Sequence, residues 1–158
     1  MFDFLEFDDF LLEQELIDEA TDDGITKAES ELTNMMQHMI KHQYQPSRQG
    51  KSWCDSIGDS YNLYNKIVNK NAKSKKNIEK GIDLDKCYKD ARKEALKQTN
   101  LPQSTIPKDK PSELDINYMT DYDKIISFLK DNYNQDATYN FKSKEDMEDF
   151  MISKLKEI

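Results

Sequence analysis

Turn-forming residues are scarce: the 158 residues contain four glycines and four prolines. An all-β sandwich needs far more turn residues, so long helices are expected. No run of about 18 apolar residues occurs, which excludes a hydrophobic membrane span. The first ten residues, MFDFLEFDDF, are acidic and lack Lys and Arg, so no secretory signal peptide is expected there. Two cysteines, Cys54 and Cys87, stand far apart without CxxC spacing. That usage suits reduced thiols and a cytoplasmic location. A serine elbow, a Gly-rich phosphate loop and an acidic metal motif of usual spacing are all missing. The expectation is a protein without a cofactor, and an enzyme is the less favoured class.

Charge is abundant and unevenly placed. The net charge is −8. Residues 1–40 carry twelve acids and one base, Lys27; residues 41–110 carry sixteen bases and eight acids; the remainder carries six bases and eleven acids. An acidic arm, a basic middle and an acidic tail follow one another. The fold can pair the first two, or each can face its own partner.

The apolar positions follow helical spacing. Phe4, Phe7, Leu11, Leu12, Leu16 and Ile17 form one stripe on an acidic helix, with Asp22-Asp23-Gly24 as its expected stop. Thr26 and Glu29 have capping-box spacing, predicting a second helix over about 27–44 with Ala28, Leu32, Met35, Met36, Met39 and Ile40 inward. Pro46 ends it. Ser52 is the expected N-cap of a helix over about 53–71, with Trp53, Ile57, Tyr61, Tyr64, Ile67 and Val68 on one face. A short helix near 74–81 and one capped by Asp83 over 84–99 come next. NLPQSTIPKDKP at 100–111 is too proline-rich for helix and reads as a strap or linker. Helices of about 121–134 and 144–157 follow, after cap-like sequences at Thr120–Asp123 and Ser143–Asp146. The expected fold is all-α: an antiparallel helical bundle over 1–116 with a smaller, mostly helical C-terminal extension over 117–158.

The stretch HMIKHQYQPSRQGKSWCDSI, residues 38–57, collects both histidines, the only tryptophan and Cys54. It resembles domain-of-unknown-function family 29, small all-helical bacterial proteins. The shared pattern is His38, Lys41, Gln43, Tyr44, Gln45, Pro46, Ser52, Trp53 and Ile57. Further on, DARKEALKQTNLPQSTIPKDKPSEL resembles the family's basic Ala-Arg helix and Pro-rich turns. The likeness spans roughly 17–116. Two departures stand out: His42 sits where the family usually has Trp, and the acidic FDFLEFDDF segment replaces the customary N-terminal helix. The resemblance implies a helical fold and no activity, since the family has none assigned.

Candidate sites fall in three groups. Phe4, Phe7 and Phe10 on the acidic helix, with Arg48, Lys51 and Trp53 at the corner, would serve contact with a protein partner or a second copy. The acidic helix could also act as an inhibitor by occupying a basic groove on a partner. Lys66, Lys70, Lys73, Lys75 and Lys76 in the basic middle (41–97), interleaved with Tyr44, Trp53, Tyr61 and Tyr64, would hold a phosphate backbone with bases stacked on rings. The plainer reading is a solvated helix face with core aromatics. His38 and His42, four apart on one helix face, are half of a zinc layout, and Cys54 beside them would be a nucleophile if activated. Here the plainer reading places His38 at the helix corner, His42 on the surface and Cys54 as a small buried apolar residue.

Overall fold

The computed structural model describes residues 4–70, 73–137 and 141–157; in the first helix, side chains are described from Leu11 onward, except at positions 13 and 15–18. Among the described residues there are seven α-helices and no strand. They are α1 (Phe4–Tyr44), α2 (Lys51–Asn69), α3 (Lys75–Gly81), α4 (Leu84–Thr99), α5 (Ile116–Met119), α6 (Tyr122–Asp131) and α7 (Lys144–Leu155).

The first helix corrects the sequence expectation. No stop occurs at Asp22-Asp23-Gly24, and one helix of 41 residues runs through both predicted ones. At 1.5 Å per residue it is about 60 Å long. The residues that read as punctuation are used inside it. Thr26 donates its hydroxyl to the Asp22 carbonyl (3.2 Å) and Ser30 to that of Thr26 (3.1 Å), the pattern of hydroxyls inside a helix. Asp23 pairs with Lys27 at 2.9 Å, one turn on. Gly24, which costs a helix about 1 kcal/mol against alanine, is there for packing. A Cβ on it would lie 2.5 Å from Cδ1 of Ile78, and a Cβ on Gly81 would strike Ile25 in turn. The two helices approach by seating an isoleucine of each over a glycine of the other.

Around α1 the chain runs up, down and up. α1 stops before Pro46, a 3-10 turn covers Pro46–Arg48, and α2 returns antiparallel. Its N-cap is Gly50, in extended conformation with no side-chain cap, and not Ser52, which lies within the first turn. Asn34 of α1 donates to the Ser60 hydroxyl of α2 at 2.6 Å. α3 crosses, and α4 climbs beside α1: Glu29 accepts from the Asp83 N–H (2.9 Å), and near the far end Lys41 donates to Gln98 (2.8 Å). The Asp83 cap forms as expected, accepting from the Lys86 N–H, and α4 ends at Asn100 with φ 56°, a left-handed conformation that asparagine tolerates. The inward positions Ala28, Leu32, Met35, Met36, Met39, Ile40, Ile57, Tyr64, Ala91 and Ala95 are all buried.

The proline-rich segment is an ordered strap. Ile106 is buried, Arg92 donates to the carbonyls of Ile106 (3.1 Å) and Gln103 (2.7 Å), and the Tyr88 hydroxyl donates to that of Pro107 (2.5 Å). Asp115, Asp121 and Ser143 then cap α5, α6 and α7. Of these last helices α7 lies on α2, α6 packs on α7 and α5 on α6. Asn62 donates to the Lys154 carbonyl (2.7 Å), and the Lys154 ammonium sits 3.0 Å from Asp59 and 3.4 Å from Asp55. The stem of Lys154 covers Gly58, where a Cβ would collide with it. Ile125, Leu129, Met147, Met151 and Leu155 join the same buried cluster as the α1 residues. The strand-like TYNF falls largely at 138–140, outside the described residues.

Candidate interaction surface

The corner that gathers the rare residues is closed. His42, expected on the surface, is fully buried, and its ring lies 6.4 Å from that of Phe128. The reason is Gln49, a residue without any signal in the sequence. Its buried side-chain amide donates to the carbonyl of His42 (2.7 Å) and to that of Asn132, while its Oε1 accepts from the Asn134 N–H (2.5 Å). One amide therefore joins the end of α1, the turn and the end of α6, and covers His42. Burial holds both imidazoles near pKa 4, with Lys41 adding to the effect at His38, so both are neutral at pH 7. Nδ1 of His38 and Nε2 of His42 are buried without hydrogen-bond partners.

Neutral imidazoles can ligate a metal, yet no group of three or more His, Cys, Asp or Glu among the described residues is arranged to hold an ion. Cys54 is 1% exposed, and burial, then Asp55, pushes its thiol up to about 12. At neutral pH it is a thiol, not the thiolate that attacks. Trp53 is half-buried, with the Lys41 ammonium 5.3 Å from its ring centre. Arg48 and Lys51 are exposed, and Lys51 reaches over Phe150 at 5.3 Å.

The other end of the bundle is open. Lys66, Lys70, Lys73, Lys75 and Lys76 are all exposed around the α2–α3 junction. Tyr61 and Tyr64, expected among them as stacking platforms, are buried in the core, and burial raises both phenols. The structure thus brings the cations together and withholds those two rings. Between α1, α2 and α3 lies a cleft of about 400 Å3. Its apolar lining comes from Gly24, Leu63, Ile67 and Ile78, and its charged lining from Asp23, Lys27, Lys66 and Lys70. Leu63 is 45% exposed. Asp23 and Lys27 satisfy one another. Among the described residues no carboxylate lies within ion-pair distance of Lys66 or Lys70.

Beyond the cleft α1 continues toward Phe4. Leu11 is 44% and Leu12 57% exposed, and Gln14, Glu19 and Ala20 are exposed as well. The side chains of Phe4, Phe7 and Phe10 lie outside the described residues, although the helix includes their backbone. No helix among the described residues is long and apolar enough to cross a membrane.

The long α1, the Pro46 corner and the strapped α4 carry the residues on which the sequence resembled a known family. The family model described as Domain of unknown function DUF29 matches residues 9–122. The chain belongs to the DUF29 family. The match begins within the acidic part of α1, ahead of the roughly 17 expected, and closes at the start of α6. The DUF29 core thus comprises the three long helices, α3, the strap and α5, with most of α6 and all of α7 beyond it. No curated protein and no solved structure matches the chain.

Proposed function

We propose that this DUF29 protein is a non-enzymatic interaction module whose contact element is the N-terminal part of α1. One observation carries the reading: a helix continuous with the core runs about 20 residues past Ile25, with large apolar side chains at Leu11 and Leu12 in solvent. Exposed leucines on a projecting helix with further apolar residues at helical spacing call for a cover. The closed corner, with neutral imidazoles and a protonated thiol, supports the non-enzymatic side of the reading. A cytoplasmic location fits the reduced cysteines.

The test is affinity capture from the native host with the chain and its Phe7→Asp variant as parallel baits. Proteins retained by the first and lost by the second, at equal helicity, are expected. An identical retained set for both baits would sink the proposal. A second reading, nucleic-acid binding, has the exposed lysines of the α2–α3 junction in its favour. It requires binding with a steep salt dependence that is lost in Lys70, Lys73, Lys75, Lys76→Ala. Without the buried tyrosines, that contact would be to phosphates and blind to sequence.

A further inference from the structure

The cleft at Gly24 and the acidic segment of α1 are complementary in charge and in apolar character. Residues 1–26 contain ten acids and no base. The cleft offers Lys66 and Lys70 beside Leu63, Ile67 and Ile78. A basic rim over an apolar floor suits an acidic helix with an apolar stripe. The chain cannot satisfy this need alone. Because α1 is one unbroken helix, residues 4–19 run on along its axis and cannot fold back into a cleft built on residues 20–27 of the same helix.

We propose that the cleft receives the N-terminal part of α1 from a second copy of the chain, in a two-fold symmetric pair. This rests on the reading of that segment as the contact element. Two α1 helices running antiparallel about a point near residue 17 place position 7 of each opposite position 27 of the other, and position 10 opposite Gly24. Both docking events then occur at once, as a closed dimer requires. In that register the segment 7–14 faces the cleft edge 20–27, each spanning about 10 Å of helix. Two phenylalanines, Phe7 and Phe10, at about 150–250 Å2 each supply roughly half of the about 800 Å2 per partner that a standard interface takes. Ser74, whose buried hydroxyl has no partner, lies in the cleft wall and is available to an incoming carboxylate.

The experiment is the mass of the full chain by sedimentation over about 1–100 µM, a range that brackets micromolar dissociation, with charge-reversal pairs. The wild-type chain is expected at twice 18.6 kDa, with dissociation rising in salt. Lys66→Glu with Lys70→Glu should weaken the dimer at least about tenfold. Asp8→Lys with Glu15→Lys, each one turn beyond a stripe residue, should do the same, and an equimolar mixture of the two variants should recover a heterodimer. Circular dichroism of each variant establishes that helicity is kept. A monomer throughout, or a mixture that stays monomeric, overturns the pairing. If the wild type is monomeric while Phe7→Asp still loses host proteins, the contact element stands and the second copy falls. If the dimer is lost with Phe7→Asp and indifferent to Lys66 and Lys70, the cleft is the wrong receptor. A dimer indifferent to Phe7→Asp removes both.

Discussion

The two ends of α1 are built on opposite principles. At the Pro46 end, unusual residues are spent on closure: His42 is buried, Gln49 joins three segments through one amide, and Cys54 is sealed. At the Gly24 end, ordinary leucine, isoleucine and lysine side chains surround a space that no described residue fills. Rarity of residue type marks the place where the fold is hardest to close. Openness marks the place where a partner can act. The contrast also separates two kinds of polar group, since the Gln49 amide is inward and bonded to three backbone groups, while Lys66 and Lys70 face solvent.

Breaking the corner should cost most. Gln49→Leu leaves two carbonyls and one N–H without their partner in a buried to partly buried place. At about 1–3 kcal/mol for each unsatisfied group, partly relieved by water, a loss of about 3 kcal/mol is expected in urea unfolding. A loss below about 1 kcal/mol would mean that the corner is not held by this amide.

Acid should act on the same end with a smaller effect. His38 and His42 have folded pKa values of about 4 against an ordinary 6.5, so the unfolded chain binds protons that the native chain refuses. Their contribution is complete above pH 6.5 and is lost as pH falls toward 4, by up to about 1.4 kcal/mol per pH unit for each ring. His42 is the more enclosed of the two. Unfolding titrations between pH 6.5 and 4.5 should show the decline, and His42→Leu should remove about half of the slope. An unchanged slope in that variant would place the titration elsewhere.

The open end should barely register in such measurements. Lys66→Glu with Lys70→Glu is expected to change monomer stability by less than about 0.5 kcal/mol, since both are exposed and unpaired among the described residues. A larger change, measured under monomeric conditions, would make these lysines part of the fold.

Much of the architecture was legible because its signals are local. Asp83 and Asn100 bracket α4 at its expected ends, and Ser143 starts α7 where its hydroxyl can reach the Asp146 N–H. Two of the failures, at Gly24 and Gln49, share one cause, a partner distant in sequence, while the one at Ser52 is local. Gly24 looks like a terminator until Ile78 is placed over it. Ser52 looks like a cap, yet the chain enters α2 through Gly50. Gln49 has no pattern at all, because its meaning lies in Asn132 and Asn134. Among candidate site residues, the lysines were placed correctly on the surface, as polar side chains default to solvent. Tyr61 and Tyr64 show the converse, since rings at core spacing are inside.

An unbroken α1 also fixes an angle. Each residue of an α-helix turns the chain by about 100°, so the direction of the helix from Phe4 to Ala20 is set by the core that grips α1 after Gly24. One residue inserted at position 22 would leave the core sequence intact, yet swing the leading stripe by more than a quarter turn. Seven inserted residues would bring it back within about 20° of its original direction, some 10 Å further out. The helix is in this respect a shaft, and the hydrophobic stripe is its keyway.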